Sequence, residues 1–463
     1  MTHFAITLPP VIKTISDELS KQNFKAILVG GCVRDFFLDL PIKDYDVEVF
    51  GIENIETLEE ILCKFGTVNL VGKSFGILKF VYGEHEYDFS LPRTETKSSV
   101  GHKGFDVVCN GEMDFKSAAI RRDFTINAIG YDMASGEVLD PFGGLEDIER
   151  KIVRCVSKDT FAEDPLRVYR AAGFCARFDF EIDSQTLNLC CDMTKKDEFK
   201  SLPKERIFVE FKKILLKSPK PSVGFELLRQ MGVINYFPEL YNIIDIPQSP
   251  IHHPEGDVWI HTMMVIDEMA ELRTLKEKLD LKLILAALCH DFGKATHTQI
   301  EDEKIRAIGH EKAGVELTKD FLYRLTNEHD LVKSVLPLVE HHLVPSMYFK
   351  NHARDKKIRH LSTRVNISEL LILARADFFG RTTTEAMSGM YEAGDWMEKK
   401  AKELGVFYSP PKPFVKGKDL IDLGLIPSPK FSEILDIVYE KQLNGEIKTK
   451  EDAFVYLPKI INS

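Results

Sequence analysis

The chain has 463 residues, 44% of them hydrophobic and 29% charged, with a net charge of −11 at neutral pH. That length exceeds one ordinary core and predicts roughly two to four domains, while the negative charge argues against broad, non-specific nucleic-acid binding and leaves room for a local basic surface. No apolar run is long enough to span a bilayer, and MTHFAITLPPVIKTISDEL lacks the basic start and apolar centre of a signal peptide, so a cytoplasmic protein with no membrane partner is expected.

The first elements in chain order are AILV, a short buried strand, then the Gly30-Gly31 turn, then VRDFFLDL as a helix. Paired glycines at a strand-to-helix turn let backbone N–H groups approach a phosphate, and Arg34 can add a charge-assisted contact. By itself such a turn also serves only to reverse the chain. In the next strand, KDYDVEVF, the period of two sends Asp44, Asp46 and Glu48 to one face and Tyr45, Val47 and Val49 to the core. Carboxylates so close repel unless a cation or solvent intervenes, so that face is either solvated surface or a metal cradle. A third strand, EHEYDFSL, repeats the alternation and brings Asp88 forward. Carboxylates from neighbouring strands suit Mg²⁺, which favours oxygen ligands together with substrate phosphates. The eight cysteines are scattered without a CxxC pair, which fits a reducing compartment.

Four segments follow one another in a recognisable order: LVGGCVRDFFLDLPIKDYDVEVF, then RRDFTINAIGYD (121–132), DPFGGLEDIERKIVR (140–154) and FAEDPLRVYRAAGF (161–174). Together they resemble the motifs of the class II tRNA nucleotidyltransferase and bacterial poly(A) polymerase family. The resemblance implies that Gly30, Gly31 and Arg34 hold a triphosphate and that Asp44 and Asp46 bind catalytic Mg²⁺; on its strand alone Asp88 reads either as a third catalytic carboxylate or as a solvated strand face, and Glu48 is expected beyond the site. It implies that Arg122, Asp123 and Asn127 contact the incoming nucleotide. Asp164 and Arg167 would read the edge of CTP or ATP, with Arg170 one turn further on in the same nucleotide-binding set. A carboxylate accepting from an exocyclic amine and a guanidinium donating to ring acceptors imitate a base pair. Gly173 departs from the family, whose members commonly carry arginine there. Without the motif order, Asp164 and Arg167 read first as a surface ion pair on an amphipathic helix.

Between Lys195 and Lys220 lie nine basic and four acidic residues, either a solvated helix face or a contact to a tRNA backbone. Eleven of the fourteen histidines follow residue 250, marking a second chemistry. His261 falls near a helix start, His290-Asp291 ends an apolar helix with Gly293 as its cap, and His310, His341, His342 and Asp377 follow. This order resembles the HD-domain metal-dependent phosphohydrolases. The resemblance implies a metal site of His261, His290, Asp291 and Asp377. His310 and one of His341 or His342 would touch phosphate or a second metal. Imidazole and carboxylate together suit transition metals such as Ni²⁺ or Mn²⁺. After the linker SPPKP, two helical segments complete a tail.

The expected fold is α+β. A nucleotidyltransferase head of mixed sheet and helices spans 1–150, an all-α neck and body 151–250, an α-helical HD domain 251–385 and a helical tail 386–463. The expected function is template-independent addition of CCA to tRNA 3′ ends, with a phosphatase or 2′,3′-cyclic phosphodiesterase activity in the HD domain. A poly(A) polymerase, a partial enzyme adding CC or A, and a phosphohydrolase with a nucleotide-binding head are the alternatives.

Overall fold

The computed structural model describes residues 6–69, 76–97 and 105–461. The chain folds into two compact units, Met1–Ser218 with Val223–Tyr236, and Pro219–Ser222 with Phe237–Ser463. Head and neck therefore share one unit, HD region and tail the other, and the units part ahead of the expected boundary at 250.

In the first unit, β1 (Lys25–Val29), β2 (Asp46–Phe50), β3 (Thr67–Asn69), β4 (Ile77–Tyr82) and β5 (His85–Ser90) build most of a sheet. A ribbon of β6 (Arg93–Lys97) and β7 (Phe105–Cys109) follows, and β8 (Gly130–Asp132) and β9 (Val138–Leu139) complete the sheet in the order β3-β4-β5-β2-β1-β8-β9. Only the β2–β5 pairing in this sheet is parallel, which makes it mixed. Val47 and Val49 face a core with Ile12, Ile15, Leu58 and Leu62 from the helices Pro10–Lys21 and Ile55–Leu62. On the opposite face Ile27, Val29 and Phe50 pack on Ala118.

The strand of the acidic residues is shorter than the alternation predicts. β2 begins at Asp46, which lies opposite Val29 in β1 and Asp88 in β5, and Asp44 sits exposed in the segment before it. The ladder with β1 stops because β1 ends at Val29 and turns at Gly30. Gly30 has φ +73°, a conformation that only glycine adopts without strain.

Past the sheet, the neck is helical apart from one short parallel pair, Ile152–Val153 with Glu181–Ile182, and Leu166–Phe178 packs on Lys204–Lys217. In the second unit the helix Glu277–Cys289 is buried nearly all round, from Leu283 to its last residue, which suits its position among the helices Val258–Glu271, His329–His341 and Ile367–Phe379. After the SPPKP linker there are three helices rather than two: Gly417–Asp422, Lys430–Asn444 and Lys450–Ile461 enclose a small core of Leu420, Ile434, Val438 and Leu457. No helix among the described residues is long and apolar enough to cross a membrane.

Gly293 is not the cap of the helix before it. Its φ is −64°, and it starts the short helix Lys294–His297. Its place is fixed by close approach, since a Cβ there would lie 1.9 Å from the His310 carbonyl oxygen and 2.7 Å from the Gly314 nitrogen, both backbone. Gly293→Ala is therefore expected to cost about 1–3 kcal/mol in urea denaturation through forced backbone shifts. Gly173→Ala is the control: its Cβ would meet only Ile214 Cγ1 at 3.6 Å. Because that site is inside a helix, the substitution should be neutral or stabilising by up to about 1 kcal/mol.

Candidate active sites

One cavity of about 530 Å³ in the first unit gathers Gly30, Gly31, Arg34, Asp46, Arg122, Asp123, Asn127, Asp164, Arg167 and Arg170. Its wall holds nine arginines and lysines against four carboxylates, an excess of positive charge in a negatively charged chain. The Gly30 turn is the meeting point. A Cβ there would stand 3.1 Å from Arg122 Nη1 and 3.5 Å from Asp46 Oδ2, so a guanidinium and a carboxylate press against the glycine from the far side of the sequence.

Arg122 and Arg121 are held by an acid that the motif reading puts outside the site. Glu48 is fully buried, 2.8 Å from Arg121 Nη2 and 3.6 Å from Arg122 Nη2. The signal for it is in the alternation of KDYDVEVF itself: a glutamate on the same strand face as Asp46, two residues deeper. Burial lowers the Arg122 guanidinium below its ordinary range, with Glu48 opposing. Burial, and next the Asp88 carboxylate, push the Asp46 carboxyl up. Asp44 also raises it, so Asp46 feels carboxylates on both sides, a charge arrangement that suits a divalent cation. They are not drawn into a tight knot: among the described residues, the groups of three ligand-type atoms within 4.8 Å all lie in the second unit. Asp88 is half exposed and lies 3.9 Å from Lys79 Nζ.

Behind the turn runs a chain of buried polar contacts. Arg34 donates to Asp35 Oδ1 at 2.8 Å and to Asn127 Oδ1 at 2.6 Å, Asn127 donates to Asp123 Oδ1 at 2.9 Å, and Arg170 clasps Asp123 Oδ2 through both Nε and Nη2. Although burial pushes the Asp123 carboxyl up, Arg170 and Asn127 hold it below the usual range. Arg34 is further covered by the rings of Phe174 and Phe178, 5.2 and 4.8 Å from its guanidinium carbon. The expected base-reading pair is built with other partners. Arg167 donates to the carbonyls of Thr160 and Arg121, each at 2.7 Å, and Asp164 accepts from Arg206 at 3.1 Å. Arg206, Lys213 and Lys217, from the basic run after the fourth motif, line the same cavity. Two acids of the third motif are structural: Asp140 accepts from the backbone of Gly144 and Leu145, and Asp147 from Thr125 and Arg154.

In the second unit the centre is Asp291. Its Oδ2 lies 3.2 Å from His290 Nε2 and 3.9 Å from His261 Nε2, and its Oδ1 lies 3.1 Å from His310 Nε2 and 3.7 Å from His342 Nε2. Two histidine pairs therefore share one carboxylate, and Asp377 Oδ1 joins the first pair at 3.2 Å from His261 Nε2. Neighbours in sequence are separated in space: His342 turns into this group, and His341 lines a different groove with Lys312 and Tyr348.

The donor set fits metal ions. His290, His310 and His342 each place Nδ1 2.6–2.7 Å from a backbone carbonyl, of Ala287, Ala307 and Val339. A carbonyl only accepts, so Nδ1 carries the hydrogen and Nε2 presents a lone pair. Those three Nε2 atoms are buried without a hydrogen-bond partner. His261 is oriented likewise, with Nδ1 2.9 Å from Glu255 Oε1. Lys294 at 2.6 Å from Asp291 and Arg381 at 2.6 Å from Asp377 neutralise the carboxylates. Despite burial, His290 and Lys294 hold the Asp291 carboxyl well below its ordinary range. Glu255, Lys294 and Arg381 are absent from the motif reading, although HDFGK and DFFGR carry the two cations three and four residues after their aspartates.

Residues 26–154 match the poly A polymerase head domain, 179–243 the probable RNA and SrmB-binding site of polymerase A, and 258–381 the HD domain. The multifunctional CCA protein of Nitrosospira multiformis is 37% identical over 319 residues, covering 69% of this chain and 73% of that protein. The chain belongs to the multifunctional CCA protein family. A further member, from Mannheimia succiniciproducens, is 38% identical over 302 residues, covering 64% of this chain and 69% of its own. The fold is that of the Bacillus stearothermophilus CCA-adding enzyme solved in complex with CTP, with a TM-score of 0.65 at 21% identity and 98% of each chain covered. Nucleotidyltransferase and HD domains are metal-dependent, and for the HD domain this is in keeping with the ligand clusters of the second unit.

Two outcomes are expected. Glu48→Ala leaves Arg121 and Arg122 buried without their carboxylate, and should cost about 3–5 kcal/mol in urea denaturation. Lowering the pH should destabilise the metal-free protein. Burial holds His253 down at about 4 and His342 at about 3. Both take up a proton near ~6.5 once unfolded, so the unfolded state binds more protons as pH falls from there, and stability falls with it. His310 is raised despite its burial, because the Asp291 carboxylate stands beside it, and works in the opposite sense. Burial lowers His341 as well, so with three against one the melting temperature in chelator should be lower at pH 5 than at pH 7, and an equal or higher value would contradict this account.

Proposed function

We propose that this protein adds CCA to tRNA 3′ ends from CTP and ATP, and that its HD domain hydrolyses phosphomonoesters or 2′,3′-cyclic phosphates. The observation that carries the first activity is the single basic cavity in which the Gly30 turn, Asp46 and Arg122 meet the neck residues Asp164 and Arg167. A triphosphate fits the excess of guanidinium groups, and a base directed toward the neck meets a carboxylate and a guanidinium. The tRNA 3′-hydroxyl oxygen forms the new bond to the α-phosphorus, and the bond to the β-phosphate breaks with release of pyrophosphate. Mg²⁺ held by Asp44 and Asp46, with Asp88 beside them, would supply charge neutralisation and an activated hydroxyl. The chain's own part is positioning: Arg122 toward the phosphates, and Asp123, Asn127 and Arg170 as the brace of the nucleotide wall.

The relatives named multifunctional CCA proteins support this reading, and the HD match supports a second activity. For that activity His261, His290, Asp291 and Asp377 are the proposed ligands of one metal, and Asp291, His310 and His342 of another. The imidazole-rich set favours Ni²⁺ or Mn²⁺, which would supply a nucleophilic water and polarise the phosphate. Lys294 and Arg381 stand where they balance the carboxylates.

Transcripts ending at the discriminator base, at C and at CC, incubated with Mg²⁺, CTP and ATP, test the first activity. Extension of all three to CCA and no further is expected. Long A-tails would indicate a poly(A) polymerase, and extension of only some transcripts a partial enzyme. Asp46→Asn should lower incorporation by at least about a hundredfold and leave phosphohydrolysis intact. Asp291→Asn should do the reverse, and loss of both activities in either variant would refute the assignment of two independent sites.

A further inference from the structure

A second cavity in the HD-containing unit has no part in either activity as described so far. It is about 530 Å³ and lies between the ends of the helices His310–Leu325 and His329–His341 and the helices Val344–Lys350 and Asp355–Ser362. Lys312, Lys356, Lys357 and Arg364 line it. Each of the four is exposed, and none has an acidic ion-pair partner among the described residues. Glu311 and Glu340 also line it and leave the cations in excess. Tyr348 offers a ring on its wall, with Lys357 Nζ 5.9 Å from the ring centroid.

This groove borders the metal-ligand cavity. Leu343 lines both, and consecutive residues face one each: His341 the groove and His342 the Asp291 centre, Glu311 the groove and His310 the centre. We propose that the groove holds the sugar-phosphate backbone of a single RNA strand whose phosphorylated end occupies the metal cavity, so that the HD activity selects polynucleotide ends over mononucleotides. The proposal rests on the HD reading above. Long, exposed lysines spread over two helices suit a repeating backbone of phosphates. A buried, rigid set of donors would suit one small anion better. A ring beside them gives a base a face to stack on. In a chain of net charge −11, cations clustered without partners at this rim also draw a polyanion to the place where its end would be processed.

The test compares the wild type with the triple variant Lys356→Gln, Lys357→Gln, Arg364→Gln. One substrate is cytidine 2′,3′-cyclic phosphate, and the other is a short oligoribonucleotide ending in the same group, both with Mn²⁺ present. The ratio of kcat/KM for the strand to that for the mononucleotide should fall by about tenfold in the variant, and the salt dependence of strand hydrolysis should flatten. An unchanged ratio, or an equal fall for both substrates, would overturn the proposal. If the wild type hydrolyses neither substrate, the HD reading fails, and the groove is then judged by fluorescence anisotropy of the labelled strand. Weaker binding by the variant supports the groove, and equal affinity overturns it. Equal loss of affinity for the free mononucleotide would also overturn it, since that is the behaviour of a small-nucleotide site.

Discussion

Asp123 is a carboxylate buried in the wall of a wet, charged cavity, and the first unit is arranged around keeping it ionised there. Taking such a group out of water is costly unless every lone pair is answered. Arg170, Asn127 and the Phe124 backbone N–H answer it. Asn127 spends its own carbonyl on Arg34, and Arg34 spends its remaining donors on Asp35. The result links the helix after the Gly30 turn, the Thr125–Asn127 turn and the neck helix Leu166–Phe178 through one hydrogen-bonded chain. Arg34 and Arg170 are thus first of all braces.

The same constraint is solved differently around Asp291. Four imidazole Nε2 atoms converge on its two oxygens from four helices or their ends, and three of them have nothing else to bond. Backbone carbonyls fix the Nδ1 hydrogens and so decide which nitrogen faces inward. A core of this kind carries unsatisfied lone pairs that packing alone does not explain. The apolar helix Glu277–Cys289 supplies the burial that fixes its terminal His-Asp step, and Gly293 allows the next backbone to pass within contact of His310.

What the sequence made legible follows periodicity and motif order. The alternation in β2 and β5, the glycine turn, the helix ending in His290-Asp291 and the mixed head followed by helices are all patterns of short range. The misreadings arise where tertiary partners decide. Asp44 leaves the strand because β1 turns away at Gly30, which no period of two records. Glu48 is a buried counter-ion because Arg121 and Arg122 come from more than seventy residues downstream. His341 and His342 are equivalent until the end of the helix His329–His341 sets which faces Asp291. Gly293 resembles a cap in sequence and is a close-contact glycine in space.

The two centres place their charge oppositely, and this bears on how each takes substrate. The head cavity is lined by more guanidinium and ammonium groups than carboxylates, so a triphosphate enters a field that already favours it, and the acids near Gly30 need a cation to accept the same anion. Around Asp291, Lys294 and Arg381 pair with the carboxylates and Arg306 lines the same cavity, while four more cations lie in the neighbouring groove beyond Leu343. On the proposal above, a strand whose phosphate end lies at Asp291 also meets the groove cations, and a mononucleotide confined to the metal cavity does not. Length selection then needs no reading of bases, only the spacing between a metal centre and a row of lysines.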